Sequence, residues 1–473
     1  MEVMDMDTAV RHEGFQGVLS FELPAPWSAE KVRPEVELFG SMPPIEGDFT
    51  PNVVVTANPF AGTLRDFSRR AVSGIVASLK EGRIVDVDEW AYRTEPPNGE
   101  GHIPVDERGL PLVRHAGRMV EYTHRAPVGR TVSGVDYLVL IDGWAVQIST
   151  TTALQTRQLF EEEFVAIARS VTALRSAAEA GVSVGEDGSV VQPAGDGIDQ
   201  VASRARGEES EDYSFYQAAG SWIGEGTWMS GAAIARMGEL EDSVLGRLST
   251  GRGDPVLDEL RDLGVLEGGR LSEIGDVMAT ALNNAPTRLR LTGRFLDAET
   301  TFQAFAIGDL ALVAAEQGYG PRVLNQPWNA DDPTLFNVQL IPLSELSSSA
   351  SRWAGAGPAW NIHVAPFLLE PGQLEARFAG EAPLPAGANE VMEQVWNQPW
   401  FVWQIEAEGE AGAIEPITYV NTGIRGNYRV GLMEDPQSGT DKPALWTTDS
   451  SYVLRQLEDV IQAAAFGREV QWT

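Results

Sequence analysis

Residues Phe49 to Leu79 read FTPNVVVTANPFAGTLRDFSRRAVSGIVASL. The first part, PNVVVTANPF, has strand composition and partial alternation. The second part opens at Thr63 with Asp66 three residues on, a capping-box pattern. It then places Leu64, Phe67, Ala71, Ile75 and Leu79 on one helical face. A strand running into an amphipathic helix points to a sheet covered by helices. The flanking sequence agrees: GVLSFELP, GRIVDVDEW, GRMVEYTHRA and VDYLVLIDGWAVQIST also have strand character. A second helix carries Phe160, Phe164, Ile167, Val171 and Leu174 along one stripe, while Glu161, Glu162 and Arg169 face water. The region up to residue 178 is therefore an α+β domain.

Residues 179–212 are rich in Gly, Ser and acids with little apolar periodicity, and read as a linker. Residues 213–473 form a second α+β domain. It begins with helices MSGAAIARMGELEDSVLGRL, DPVLDELRDLGVL and LSEIGDVMATAL. Strands follow at about 287–296, 300–316 and 335–342, then a helix near 343–354. After a short helix past Pro371 and another at NEVMEQVW come strands FVWQIEAE, PITYVNT and NYRVGLME. A last helix starts near Asp449 and Ser450.

Composition limits the function. The chain has 473 residues and a net charge of −33, which disfavours nucleic acid and anionic membrane as partners, since both need a cationic surface. Only Lys31, Lys80 and Lys442 are lysines, a bias found in GC-rich bacteria such as actinomycetes and also in salt-adapted proteomes. With no cysteine there is no disulfide and no thiol chemistry. The start MEVMDMDTAVRHEG lacks the basic and apolar regions of a secretory signal, and no apolar run is long enough to span a bilayer, so a cytoplasmic location is expected.

Two resemblances follow from these residues. FELPAPW, FTPNVVVTANPF, the helix after Thr63 and WAVQISTTTALQTRQLFEEEFVAIARSV resemble the LpqN/LpqT proteins, which implies a Mog1/PsbP-like fold for the first domain. That family is generally exported and acylated on a cysteine, which this sequence lacks, so its location is not implied. In the second domain LGRL, LRDLGVLEGGRL, RLRLTGRF and YVNTGIRGNYRVGLMED, in that order, resemble EspG, the chaperone of type VII (ESX) secretion. The resemblance implies a pseudo-twofold doubling of helices and strands, and a helical secreted client of the WXG100 or PE/PPE-like kind.

No phosphate-cradling loop, GxSxG elbow or HExxH helix occurs. His102, His115 and His124 could on paper join Asp106 or Glu121 at a metal, but their spacing matches no ligand pattern and surface or structural roles are favoured. Asp86, Asp88 and Glu89 read as a solvated strand end, and Asp331 and Asp332 before Pro333 as a turn. Arg252-Gly253-Asp254 reads as a helix start, with Asp254 capping and Pro255 at the first helical position. No catalytic, cofactor or metal residue is expected.

The tetrapeptide NQPW occurs at Asn325 to Trp328 and at Asn397 to Trp400. Its proline marks a break, and the two copies raise the question of an internal duplication. After the second copy Phe401, Trp403 and Ile405 alternate inward as a strand. Trp403 is expected in the core, Trp396 and Trp400 flank the Pro399 break where a rim is expected, and Trp396, Trp400 and Phe401 are the candidate client-binding residues. The function this implies is a non-enzymatic type VII secretion adaptor or chaperone. The alternative is a ligand-binding or immunity-type protein acting through the first domain.

Three helices followed by RLRLTGRF and TTFQAFAIGD also fit a winged helix, yet LSEIGDVMATAL carries Glu273 and Asp276 and no Lys or Arg. Duplex DNA should therefore give no saturable gel shift at physiological salt, even at micromolar protein; a saturable shift would restore the winged-helix reading.

Overall fold

The computed structural model describes residues 9–14, 17–30, 38–43, 49–93, 115–127, 129–180, 211–242, 253–329, 332–360, 366–380, 382–385, 387–410, 412–436 and 438–467. The chain divides into two compact units, Met1–Asp212 and Tyr213–Thr473. Residues 181–210 of the expected linker, the LGRL segment and the first eight residues lie outside the described residues. Both units are mixed α and β with antiparallel sheets.

Unit 1 contains β1 (Val10–Gly14), β2 (Leu19–Leu23), β3 (Ser28–Glu30), β4 (Leu38–Ser41), β5 (Asn52–Pro59), α1 (Leu64–Ser78), β6 (Arg83–Arg93), β7 (His115–Arg125), β8 (Thr131–Ile141), β9 (Trp144–Ala153), α2 (Arg157–Ser170) and β10 (Thr172–Ala173). Seven strands form one sheet in the order β3-β4-β5-β9-β8-β7-β6, and β1-β2-β10 form a small second sheet. The run VDYLVLIDGWAVQIST is two strands rather than one. Asp142 and Gly143 both take positive φ, +48° and +82°, and make the two-residue turn that suits antiparallel twist.

Each helix covers one face of the large sheet. On one side Phe164 and Ile167 of α2 join Phe21, Trp27, Trp90, Tyr137 and Ile148 in a core. On the other, α1 packs on β6, β7 and β8 through Leu64, Ala71, Val72 and Ile75. The capping box is present: Thr63 Oγ1 accepts from the Asp66 amide, and Asp66 Oδ2 accepts from the Thr63 amide, both at 3.1 Å. α2 ends at Ser170, earlier than its stripe suggests. Val171 caps it, Leu174 lies beyond it, and Thr172 and Ala173 pair with β2 instead.

Unit 2 contains α3 (Ser214–Gly220), β11 (Thr227–Met229), α4 (Gly231–Asp242), α5 (Pro255–Asp262), β12 (Leu266–Glu267), β13 (Arg270–Leu271), α6 (Glu273–Asn284), β14 (Thr287–Phe295), β15 (Ala298–Ile307), β16 (Leu310–Ala315), α7 (Tyr319–Val323), β17 (Phe336–Pro342), α8 (Leu346–Trp353), β18 (Phe367–Leu368), α9 (Gln373–Phe378), α10 (Glu390–Trp396), β19 (Phe401–Gly409), β20 (Gly412–Asn421), β21 (Asn427–Glu434), β22 (Asp441–Thr448) and α11 (Ser450–Phe466). Asp254 caps α5 as expected, accepting from the Val256 amide at 3.0 Å. The strand expected over 300–316 is a hairpin, split at Gly308, whose φ is +60°. β22 was not foreseen in the sequence.

Ten strands form one sheet in the order β11-β17-β16-β15-β14-β19-β20-β21-β22-β18. The order is the same read outward from the β14/β19 pair in either direction. Each half runs short strand, helices, four-strand meander, helix. Thr287 and Phe401 open the first meander strands, and Ala298 and Gly412 the second, an offset of 114 residues in both cases. NQPW is not the trace of this doubling. Its second copy precedes β19, the first meander strand of its half, whereas its first copy lies between β16 and β17, the third and fourth. At that offset Pro399 falls on Ala285, and the first half has its own proline one residue later, Pro286, directly before β14. β14 also pairs along both edges, so the β14–β15 hairpin is interior sheet and not a wing.

Helices α8 and α11 pack side by side over the centre of the sheet. Beneath them Phe401, Trp403 and Ile405 alternate inward with Leu289, Leu291, Phe302 and Trp353. Trp403 stacks on Tyr419 at 4.9 Å between ring centroids, and its indole N–H has no hydrogen-bond partner among the described residues. Trp403→Ala should therefore destabilise unit 2 by about 3–5 kcal/mol in chemical denaturation. Trp403→Phe should cost markedly less, because the lost N–H had no partner. Equal losses for the two variants would show that the indole N–H is satisfied.

Candidate functional site

In unit 1, strand alternation sends Val135, Tyr137 and Val139 of β8 into the α2 core, and Gly134, Asp136 and Leu138 to the opposite face under α1. α1 crosses β6, β7 and β8 but leaves the β9–β5 side of that face open. Between helix and open strands lies a groove of about 490 Å³. Its apolar wall includes Phe60, Phe67, Ile75 and Leu79, and its floor is the polar set Tyr122, Asp136, Gln147 and Ser149. At the rim the Arg70 guanidinium lies 4.9 Å from the centre of the Phe60 ring.

The floor is built by register. Tyr122 stands opposite Gly134, and a Cβ at Gly134 would fall 2.4 Å from the tyrosine ring. Only glycine lets the ring lie across β8, where Tyr122 Oη donates to Asp136 Oδ1 at 3.1 Å. Gln147 Nε2 donates to Asp136 Oδ2 at 2.6 Å, and the Ser149 hydroxyl supplies a third hydrogen bond. Asp136 is fully buried, and burial pushes its carboxyl up from the ordinary 3.8 to about 6 against the pull of those three hydrogen bonds. Burial also raises Tyr122, with the neighbouring Asp136 charge adding to it. A carboxyl held by three donors orients its neighbours. With the apolar wall, it suits a ligand having an apolar body and a hydrogen-bonding head.

In unit 2 the three expected client-binding residues come together differently from expectation. Trp396 is 3% exposed, Trp400 4% and Phe401 0%. The Pro399 break turns Trp400 inward, where its indole N–H donates to the Val395 carbonyl at 3.0 Å. Trp396 Nε1 donates to Ala382 O at 3.1 Å, and Arg377 lies over the Trp400 ring at 4.7 Å. Trp396 and Trp400 pack in one cluster with Val395 and Tyr428, and Phe401 in the central core. The rim assignment is thus corrected: these are interior side chains. What unit 2 does present is a hollow of about 540 Å³ on the α11 side of β21 and β22, lined by Arg429, Gly431, Trp446, Tyr452 and Arg455; Leu432 alternates to the opposite face of the sheet with Val430. Leu432 is 69% exposed. The corresponding strands of the first half, β16 and β17, place Ala311, Val313, Ala315 and Ile341 in the central core, together with Trp222 and Leu346 from outside the sheet.

No family model matches the chain, and no curated protein matches it. The N-terminal region is similar at low identity to Mog1/PsbP-like solved structures. Cyanobacterial PsbP from Synechocystis is 13% identical, covering 37% of this chain and 96% of its own, with a TM-score of 0.24. LpqN of Mycobacterium tuberculosis, involved in cell envelope biogenesis, is 10% identical over 35% of this chain and 90% of its own, at a TM-score of 0.21. The Ran-binding protein Mog1p of Saccharomyces cerevisiae is 11% identical over 36% and 88%, also at 0.21.

Other charged residues also fall differently from the sequence reading. His102 and Asp106 lie outside the described residues. Glu121 and His124 sit three apart on β7 and so face opposite sides of the sheet, which keeps them from one metal. Among the described residues no cluster of three metal-ligating side chains occurs. Asp86 is not a solvated strand end. It is fully buried in β6, in register with Glu121, whose carboxylate is paired with Arg157 at the start of α2. Asp332 does form the expected turn, accepting from the Thr334 amide at 2.8 Å.

Because folded Asp136 titrates near 6 and an unfolded one near 3.8, the folded chain holds an extra proton between those values. Its stability therefore falls as pH rises through that window, and the cost is complete above it. Asp136→Asn keeps the shape, and the hydroxyls of Tyr122 and Ser149 can turn to accept from the new amide. From about pH 4 to about pH 7 the stability of the variant should gain on the parent by roughly 2 kcal/mol in urea titrations. A difference independent of pH would place the carboxyl in solvent-like surroundings.

Proposed function

We propose that the chain is a non-enzymatic adaptor or chaperone of a type VII secretion system, acting in the cytoplasm, with unit 2 holding a helical client of the WXG100 or PE/PPE-like kind. The observation that supports this reading is the doubling of unit 2. The EspG resemblance implies two like halves of helices and strands, and the ten-stranded sheet reads identically outward from β14/β19. The client's place is the hollow on β21 and β22, where a half-buried tryptophan and two arginines flank a face that the first half fills from its own chain. An aromatic and arginine surface of this kind suits a protein partner with an apolar anchor and an acidic rim. Among the described residues no helix is long and apolar enough to cross a membrane.

A second reading, ligand binding through unit 1, is favoured by the groove over Asp136. The two differ in which unit carries the activity. With a candidate helical-hairpin client co-expressed, Arg455→Glu and Trp446→Ala should each lower the recovered complex several-fold without changing the melting temperature of the chain. Gly74→Trp, which fills the groove from a helical position with open space above it, should leave the complex intact. Loss of the complex on Gly74→Trp alone would move the function to unit 1, and no effect from either unit 2 variant would remove the client from this face.

A further inference from the structure

Arg118 on β7 is 1% exposed, in a chain whose net charge is −33. Its Nη2 lies 2.6 Å from Glu211 Oε1, while its Nε and Nη1 have no hydrogen-bond partner among the described residues. Two arginines of α1 close on the same carboxylate: Arg65 Nε lies 3.3 Å from Oε1, and Arg69 Nε 3.7 Å from Oε2. Three guanidinium groups from two elements thus surround one buried carboxylate, which is contributed by the last turnless stretch before unit 2 rather than by the sheet or helix that carries the cations. A guanidinium taken out of water with N–H groups unmade is costly, and an anion held against it offsets part of that cost. A guanidinium nitrogen lies within 3.7 Å of each carboxylate oxygen, an ion-pair arrangement that an Asp or Glu side chain can fill, although Oε1 itself makes no hydrogen bond among the described residues.

We propose that Arg65, Arg69 and Arg118 form a binding site for the carboxylate of an acidic peptide, filled in this chain by its own Glu211, and that an acidic segment of a partner protein exchanges with it. Glu211 stands within the sequence GEESED, so the chain carries a model of its own ligand. Tethering gives this occupant an effective concentration in the millimolar range, which holds the site closed to weak competitors and opens it to stronger or multivalent ones. The inference stands apart from the client reading, since it concerns unit 1 alone.

The test is fluorescence anisotropy of a labelled GEESED peptide against the full chain. Glu211→Ala should bind the peptide about tenfold or more tightly than the parent, because the tethered competitor is gone. Adding Arg69→Gln, at a side chain 57% exposed and so tolerant of change, should weaken that binding several-fold. A GQQSQN peptide should not bind. If Glu211→Ala fails to fold, Glu211→Gln keeps the shape and takes its place in the same titration. Equal affinity for parent and Glu211 variant, indifference to Arg69→Gln, or no binding to a folded Glu211 variant would each overturn the proposal.

Discussion

The antiparallel ladder between β14 and β19 is the joint on which unit 2 depends. It sets Leu289 against Ala407, Leu291 against Ile405 and Gly293 against Trp403, all on the face beneath α8 and α11. The joint closes only because residue 293 is glycine. A Cβ there would come 2.6 Å from the Phe401 ring and 2.9 Å from the Trp353 ring, so any side chain would drive apart the two aromatic residues that link the halves. Both helices, both meanders and the shared core are arranged around that one close approach.

Local chemistry was legible in the sequence where a local rule decides it. The Thr63 and Asp254 caps and the inward alternation of Phe401, Trp403 and Ile405 could all be read ahead of the structure. Tertiary pairing was less so. β22 carries Lys442 and Pro443 and looks like a loop, yet Leu432 and Met433 pair with those two residues across the sheet. Asp86 looked exposed because its neighbours in sequence are charged, while its surroundings are set by β7 and the start of α2. The floor of the unit 1 groove was missed although one signal for it exists. Asp136 and Ser149 stand equally far from the Asp142–Gly143 turn, and a tight turn of that kind makes equidistant residues cross-strand partners. Reading the turn first would have paired the two polar side chains.

The tryptophans show how a break redirects a side chain. Pro399 ends the helical run, as expected, but the chain then folds back so that Trp400 bonds to the carbonyl of Val395 and stacks edge-on against Trp396 at 5.1 Å. Aromatic composition near a turn thus marks a packing corner here, and the accessible surface is carried instead by β21 and β22. In unit 1 the division of labour is different. The two faces of one sheet hold separate sets of buried charge, with Glu121 and Arg157 on the α2 side and Arg118 with Glu211 on the α1 side. Each set is paired with an opposite charge on its own face, across no part of the sheet.

A sheet assembled from like halves faces a question of where to stop. The edge of each meander that begins with β14 or β19 accepts a copy of itself, and nothing in that edge alone limits the number of copies. The limit comes from the far edges. There β17 is met by the three residues of β11, and β22 by the two of β18. Both caps come from the unit's own chain and precede their meander, and β22 adds a lysine and a proline along its length. A proline has no amide to offer an incoming strand, and a lysine resists burial beside one. The repeat is thereby finite: strand addition, which in an uncapped series of like modules leads toward fibres, ends after two.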